Sequence, residues 1–117
     1  MLYRMSTTPE SVLVQLRKGV LEYCVLAQLV HEPSYGLKLS SDLVRYGTLF
    51  ASEGSLYPLL ARLRKQGWVE TSWEESTSGP PRRYYSITDS GTQALVAFRA
   101  AWEPFTEEAS RALRGER

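Results

Sequence analysis

The chain has 117 residues, 13.3 kDa, 43% hydrophobic and 23% charged residues, which fits one globular domain with a modest core and excludes an intrinsically disordered chain. Its single cysteine excludes an intrachain disulfide and a Cys-rich zinc site, and its single histidine argues against a His-based metal centre. No apolar run approaches the ~18–20 residues of a membrane span, residues 1–10 lack a signal peptide's apolar stretch, so a cytoplasmic location is expected, and a net charge of +1 lends no support to nucleic-acid binding unless the cations gather on one face.

Residues 1–10 read as a loose lead-in. From Ser11, a candidate N-cap, the pattern turns helical. Val12, Leu13 and Leu16 begin an apolar face that continues through Val20, Tyr23, Cys24 and Ala27, with Leu21, Val25 and Leu29 on a second flank. A helix apolar on nearly every side belongs at the centre of the core. A break near Arg17 to Gly19 divides it into a short leading helix and a main one, and His31-Glu32-Pro33 ends it. Ser34-Tyr35-Gly36 opens a shorter helix in which Leu37, Ser40, Ser41 and Val44 recur at helical spacing, with Leu39 and Leu43 nearby and Gly47 as the stop. Ser52 is the candidate N-cap of a third helix over 52–66. There Leu56, Leu59, Leu60 and Leu63 fall at i, i+3, i+4 and i+7, and Gly67 closes it. Pro58 removes one donor near its start.

The period then changes to two. Residues 68–74 and 82–87 read as strands, joined by a turn over 76–81 with a stiff Gly79-Pro80-Pro81 exit. Tyr85 shares a face with Ile87 and is assigned to the core. Thr88 caps a final helix from about Asp89 to Leu113. The order helix, helix, helix, hairpin, helix describes a mainly α winged helix-turn-helix over residues 11–87 with a small β-hairpin. Residues 88–117 supply a C-terminal helix and tail. An isolated hairpin is too weak to stand alone and must pack on the helices.

Opposite its leucines, the third helix presents Gly54, Pro58, Ala61 and Lys65, flanked by Tyr57, Arg62 and Ser55. Small residues allow close approach to a groove, the cations meet phosphates, and the hydroxyls reach phosphate or base edges. Arg82 and Arg83 follow a stiff turn, which lowers the ordering cost of placing two guanidiniums beside a phosphate or in a minor groove. In the last helix Leu95, Phe98, Trp102, Phe105, Ala109 and Ala112 alternate steps of three and four, an a/d seam that reads as a subunit interface. Its bland alternative is packing on the first helix of the same chain. Pro104 lies off the seam and predicts a kink. Enzyme readings find little: no Ser/His/Asp set, no Gly-rich phosphate loop, His31 in a loop, Cys24 as apolar filling, and Glu74-Glu75 facing opposite ways on a strand.

Four segments in order carry a family resemblance: Gly19-Val20-Leu21-Glu22-Tyr23, Pro33-Ser34-Tyr35-Gly36, residues 52–60 from Ser52 to Leu60, and residues 78–85 from Ser78 to Tyr85. From about Leu16 to Trp102 the chain resembles the PadR family of bacterial transcriptional regulators, in its smaller subgroup with one C-terminal helix. The resemblance implies a dimeric winged-helix repressor on a near-palindromic operator, with a recognition helix at 52–66, a wing at 76–83, no cofactor and no metal. Tyr35, Ser52, Ser55, Tyr57, Arg62, Lys65, Arg82 and Arg83 are then expected at DNA. Leu95, Phe98, Trp102 and Phe105 are expected at the dimer interface or around a small aromatic effector. The rival reading is a winged-helix module that binds proteins rather than DNA; it has no need for Arg62, Lys65, Arg82 and Arg83 on one surface.

Overall fold

Proline and threonine set the first helix boundary. In the computed structural model, which describes residues 8–50 and 53–116, α1 spans Pro9–Arg17 and its N-cap is Thr8, whose Oγ1 accepts the Ser11 N–H at 3.2 Å. The cap therefore lies three residues before the expected Ser11, because Pro9 fits the first helical position, where a missing N–H has no intrahelical acceptor to lose. Gly19, in the left-handed region at φ +79°, breaks the chain as expected, and α2 follows at Leu21–Gln28, burying Leu21, Val25 and Leu26. It stops well short of Pro33: the Leu29 N–H turns back to the Leu26 carbonyl at 3.0 Å.

The chain then enters β1, Ser34–Tyr35, which sequence reading assigned to a helix start. Two residues carry no readable period; β1 exists because it pairs with the strand that contains Tyr84 and Tyr85. Helix α3, Gly36–Leu43, buries Gly36, Leu39 and Leu43, while Leu37 and Val44 are 61% and 62% exposed. The expected stripe through Leu37, Ser41 and Val44 is thus the outer one. An eight-residue helix offers two apolar rows, and the pairing of β1 with the contact of Gly36 on Tyr57 fixes its roll. The helix also stops before Gly47, whose backbone is not left-handed.

A 3-10 turn at Glu53–Ser55 leads into α4, Leu56–Lys65; the Ser52 cap lies outside the described residues. Pro58 sits in the first turn, where N–H groups lack intrahelical partners, so the proline is tolerated. Leu56, Leu59, Leu60 and Leu63 are all buried. Gly67, at φ +79°, terminates the helix. Its N–H reaches the Arg64 carbonyl at 3.0 Å and the Trp68 N–H reaches that of Leu63 at 3.0 Å, the paired closure that a left-handed glycine permits.

Strands β2, Val69–Ser76, and β3, Gly79–Ile87, pair antiparallel from Val69↔Ile87 to Ser76↔Gly79, with an irregularity between Glu74 and Ser76. The sheet order is β1-β3-β2. The turn is Thr77-Ser78 alone, shorter than expected, and Pro80 and Pro81 belong to β3. They fit because adjacent strand residues point to opposite edges: β1 covers β3 only at Tyr84 and Tyr85, leaving one edge open beside the prolines, and on the other the ladder to β2 is interrupted between Glu74 and Ser76. Tyr85 faces the core and is buried.

Thr88 caps α5, Asp89–Leu113. Leu95 is 3% exposed in the core of its own chain, and Phe98 stacks on Tyr23 at 4.1 Å and 11°. Leu95 therefore packs within its own chain, which corrects its reading as a residue facing a partner, while Phe98 is half-buried and borders the open cleft beside α1. Beyond Phe98 the helix continues through Pro104 and leaves the core. The radius of gyration is 17.0 Å, with extents of 56 × 36 × 28 Å, against about 13.4 Å for a packed chain of this length.

Candidate nucleic-acid interface

The exposed side of α4 divides into two flanks. Toward the wing, Tyr57, Ala61, Arg64 and Lys65 face Arg83 and Tyr85 across a cleft of about 450 Å³. Toward α2, Ser55, Pro58 and Arg62 share a cleft of about 520 Å³ with Arg17, Lys18 and Glu22. Arg62 Nη2 lies 3.6 Å from Glu22 Oε1, so its guanidinium is drawn away from the wing. Sequence reasoning grouped Arg62 with Lys65, Arg82 and Arg83; the structure brings the last three together and sets Arg62 apart. It adds Arg64, three residues after Ala61 and seven after Tyr57, a spacing that could have revealed it.

On the wing, residues opposite one another across the ladder share a face. Arg82 extends over the Tyr35 ring at 4.4 Å, and Tyr35 meets Tyr84 edge-on at 5.2 Å. Arg83 faces Trp73 across β2 and β3, its guanidinium carbon 5.3 Å from the ring centre. Arg83 Nε is shielded from solvent and has no hydrogen-bond partner among the described residues. Tyr57 rests on Gly36 and joins the α4 cleft to a neighbouring one of about 340 Å³ that includes Tyr35, Arg82 and Arg83. Four cations, Arg64, Lys65, Arg82 and Arg83, thus surround one face of a chain whose net charge is +1.

Across the molecule, α1 and the second half of α5 enclose an apolar cleft of about 670 Å³, with Leu16, Cys24, Phe98, Trp102 and Phe105 among its walls. Burial pushes the Cys24 thiol up, which suits filling rather than a nucleophile. Among the described residues no group of His, Cys, Asp and Glu could hold a metal, and no helix is long and apolar enough to cross a membrane.

A three-helix core with a hairpin wing, and cations along the exposed side of α4 and the wing, is the architecture of a winged helix-turn-helix. Residues 25–97 match the Transcriptional regulator PadR-like family, and the chain belongs to that family: a DNA-binding transcription regulator, not an enzyme. It is similar to a PadR-like transcriptional regulator of Bacillus cereus, 42% identical, with 87% of this chain and 99% of the other covered and a TM-score of 0.75. A PadR family transcriptional regulator of Eggerthella lenta is 36% identical, with 88% and 89% covered and a TM-score of 0.77. An uncharacterized protein of Lysinibacillus sphaericus is 27% identical over 92 residues, 77% of this chain and 84% of that one.

Proposed function

We propose that this regulator is a homodimeric repressor of a near-palindromic operator, relieved by a small aromatic effector. Each subunit lays residues 52–66 in a major groove, the two about 34 Å apart, and sets its wing beside the flanking backbone. Ser52, Ser55, Tyr57 and Lys65 meet the groove, with Arg62 at its α2 edge, and Tyr35, Arg82 and Arg83 meet the backbone or minor groove. The observation that carries this is the gathering of Arg64, Lys65, Arg82 and Arg83 on one face despite a balanced total charge. Replacing Arg82 and Arg83 together by alanine is expected to weaken binding to all duplexes alike and to lower the slope of log affinity against log salt by about two. A double variant with wild-type affinity and salt slope refutes the wing assignment. Repression is read separately: loss of the protein raises transcription from the promoter it occupies.

The dimer rests on α5. Past the core-facing Leu95, the seam offers Trp102, 39% exposed, and Phe105, 66% exposed, beside the apolar cleft against α1. A partner helix covers this surface, and a flat aromatic molecule stacks on Trp102 near the dimer axis, favouring a spacing of recognition helices that releases DNA.

A further inference from the structure

We propose that Trp73 is a positioning residue for DNA: its indole restrains the Arg83 guanidinium, so that the outer N–H groups of the guanidinium meet a backbone phosphate lodged between α4 and the wing. The inference rests on the reading of α4 and the wing as the DNA surface and adds a residue outside that set.

Trp73 stands on β2 at 65% exposure, directly opposite Arg83 in the ladder. The guanidinium carbon lies over the indole, 5.3 Å from the ring centre, within the range of a cation–π contact. The in-plane N–H groups, which recognise phosphate in a fixed fork, remain available. Nε is shut off from solvent with no acceptor among the described residues, which leaves the guanidinium incompletely satisfied and its outer N–H groups as the ones that meet an anion from outside the chain. The cleft beside it, about 450 Å³, is walled by Arg64, Lys65 and Arg83 with the Tyr57 ring, and among the described residues no carboxylate lines it. Three cations with an unsatisfied donor recognise an anion, and the position between a groove-binding helix and a wing makes it a phosphate of the duplex. In the ladder Glu74 stands opposite Arg82, and Trp73 opposite Arg83.

The test titrates an arbitrary labelled duplex of about 30 base pairs, long enough for two half-sites, over a range of salt. It compares wild type, Trp73→Ala, Trp73→Leu, Trp73→Phe, Arg83→Ala and the Trp73→Ala/Arg83→Ala double variant, each checked for an unchanged circular dichroism spectrum. Trp73→Ala and Trp73→Leu are expected to bind about three- to tenfold more weakly, with a salt slope lower by about one phosphate. Trp73→Phe keeps most of the affinity. The double variant binds no more weakly than Arg83→Ala, because Trp73 acts through Arg83. Wild-type affinity and slope in Trp73→Ala or Trp73→Leu overturn the proposal, as does a double variant whose loss is the product of the two single losses. Absence of duplex binding by the wild type at low salt instead overturns the DNA-surface reading on which the proposal stands.

Discussion

A Cβ added at Gly36 would overlap the Tyr57 hydroxyl and ring carbons, and this one contact links the start of α3 to the exposed face of α4. Tyr57 is 48% exposed and the clash falls at the tip of its side chain, so the ring can swing outward. Gly36→Ala is therefore expected to leave the melting temperature within a few degrees, since alanine also favours the helix. The displaced hydroxyl is expected to weaken DNA binding by about 1 kcal/mol, the worth of one hydrogen bond. Thermal melts and duplex titrations of the same variant check both halves; unchanged affinity would remove Tyr57 from the contact surface. The helical wheel placed Tyr57, Lys65 and Ala61 correctly because backbone geometry alone fixes their direction. Arg62 is exposed as the wheel expects, but its long side chain turns to Glu22, a partner brought near by the tertiary fold and invisible to local spacing. Exposed pairs of this kind contribute little stability, so the consequence lies in where the charge points.

At the scale of elements, α4 and α5 were legible because strong local signals bound them: four leucines on one face and Gly67 for α4, Thr88 for α5. Short elements were not. The strand β1 has two residues and owes its existence to Tyr84 and Tyr85 in a distant strand, and the roll of α3 depends on that pairing. Thr88 ties the readable pieces together. Its Oγ1 accepts the Gly91 N–H at 3.1 Å and donates to the Gly67 carbonyl at 2.6 Å, and its N–H reaches the Trp68 carbonyl at 3.0 Å. The end of α4, the start of the wing and the start of α5 therefore meet at one side chain. Thr88→Val keeps the shape but removes the hydroxyl, losing a cap and leaving the Gly67 carbonyl to solvent, at a cost of about 1–2 kcal/mol. Thr88→Ser should recover most of it. Chemical denaturation gives both values, and equal stability of the valine variant and wild type would show that the cap carries no weight.

At the scale of the whole molecule, the seam on α5 serves two masters. A strict alternation of three and four residues looks uniform in sequence, yet Leu95 is used by the chain's own core, Phe98 is half-buried against Tyr23, and Trp102 and Phe105 are exposed. The pattern reported a buried stripe without saying what buries it. The homodimer reading expects Trp102→Ala to cost roughly 2 kcal/mol or more at the interface, shifting sedimentation toward monomer and weakening operator binding by unlinking the half-sites. A wild-type protein that sediments as a monomer at micromolar concentration would sink that reading. The effector reading goes one step further, because Trp102 stacks on Phe98 at 5.3 Å and continues a ladder of rings from Tyr23 into the open cleft. A planar aromatic ligand that extends this ladder gains apolar burial and ring contact. It releases DNA only by binding one dimer spacing more tightly than the other, since equal affinity shifts no population. Titration with planar aromatic compounds should quench tryptophan fluorescence saturably in wild type. The quenching should be largely lost in Trp102→Phe, where Trp68 and Trp73 remain as internal controls. Quenching that persists undiminished in that variant would place the ligand away from the α5 seam and remove Trp102 from the release mechanism.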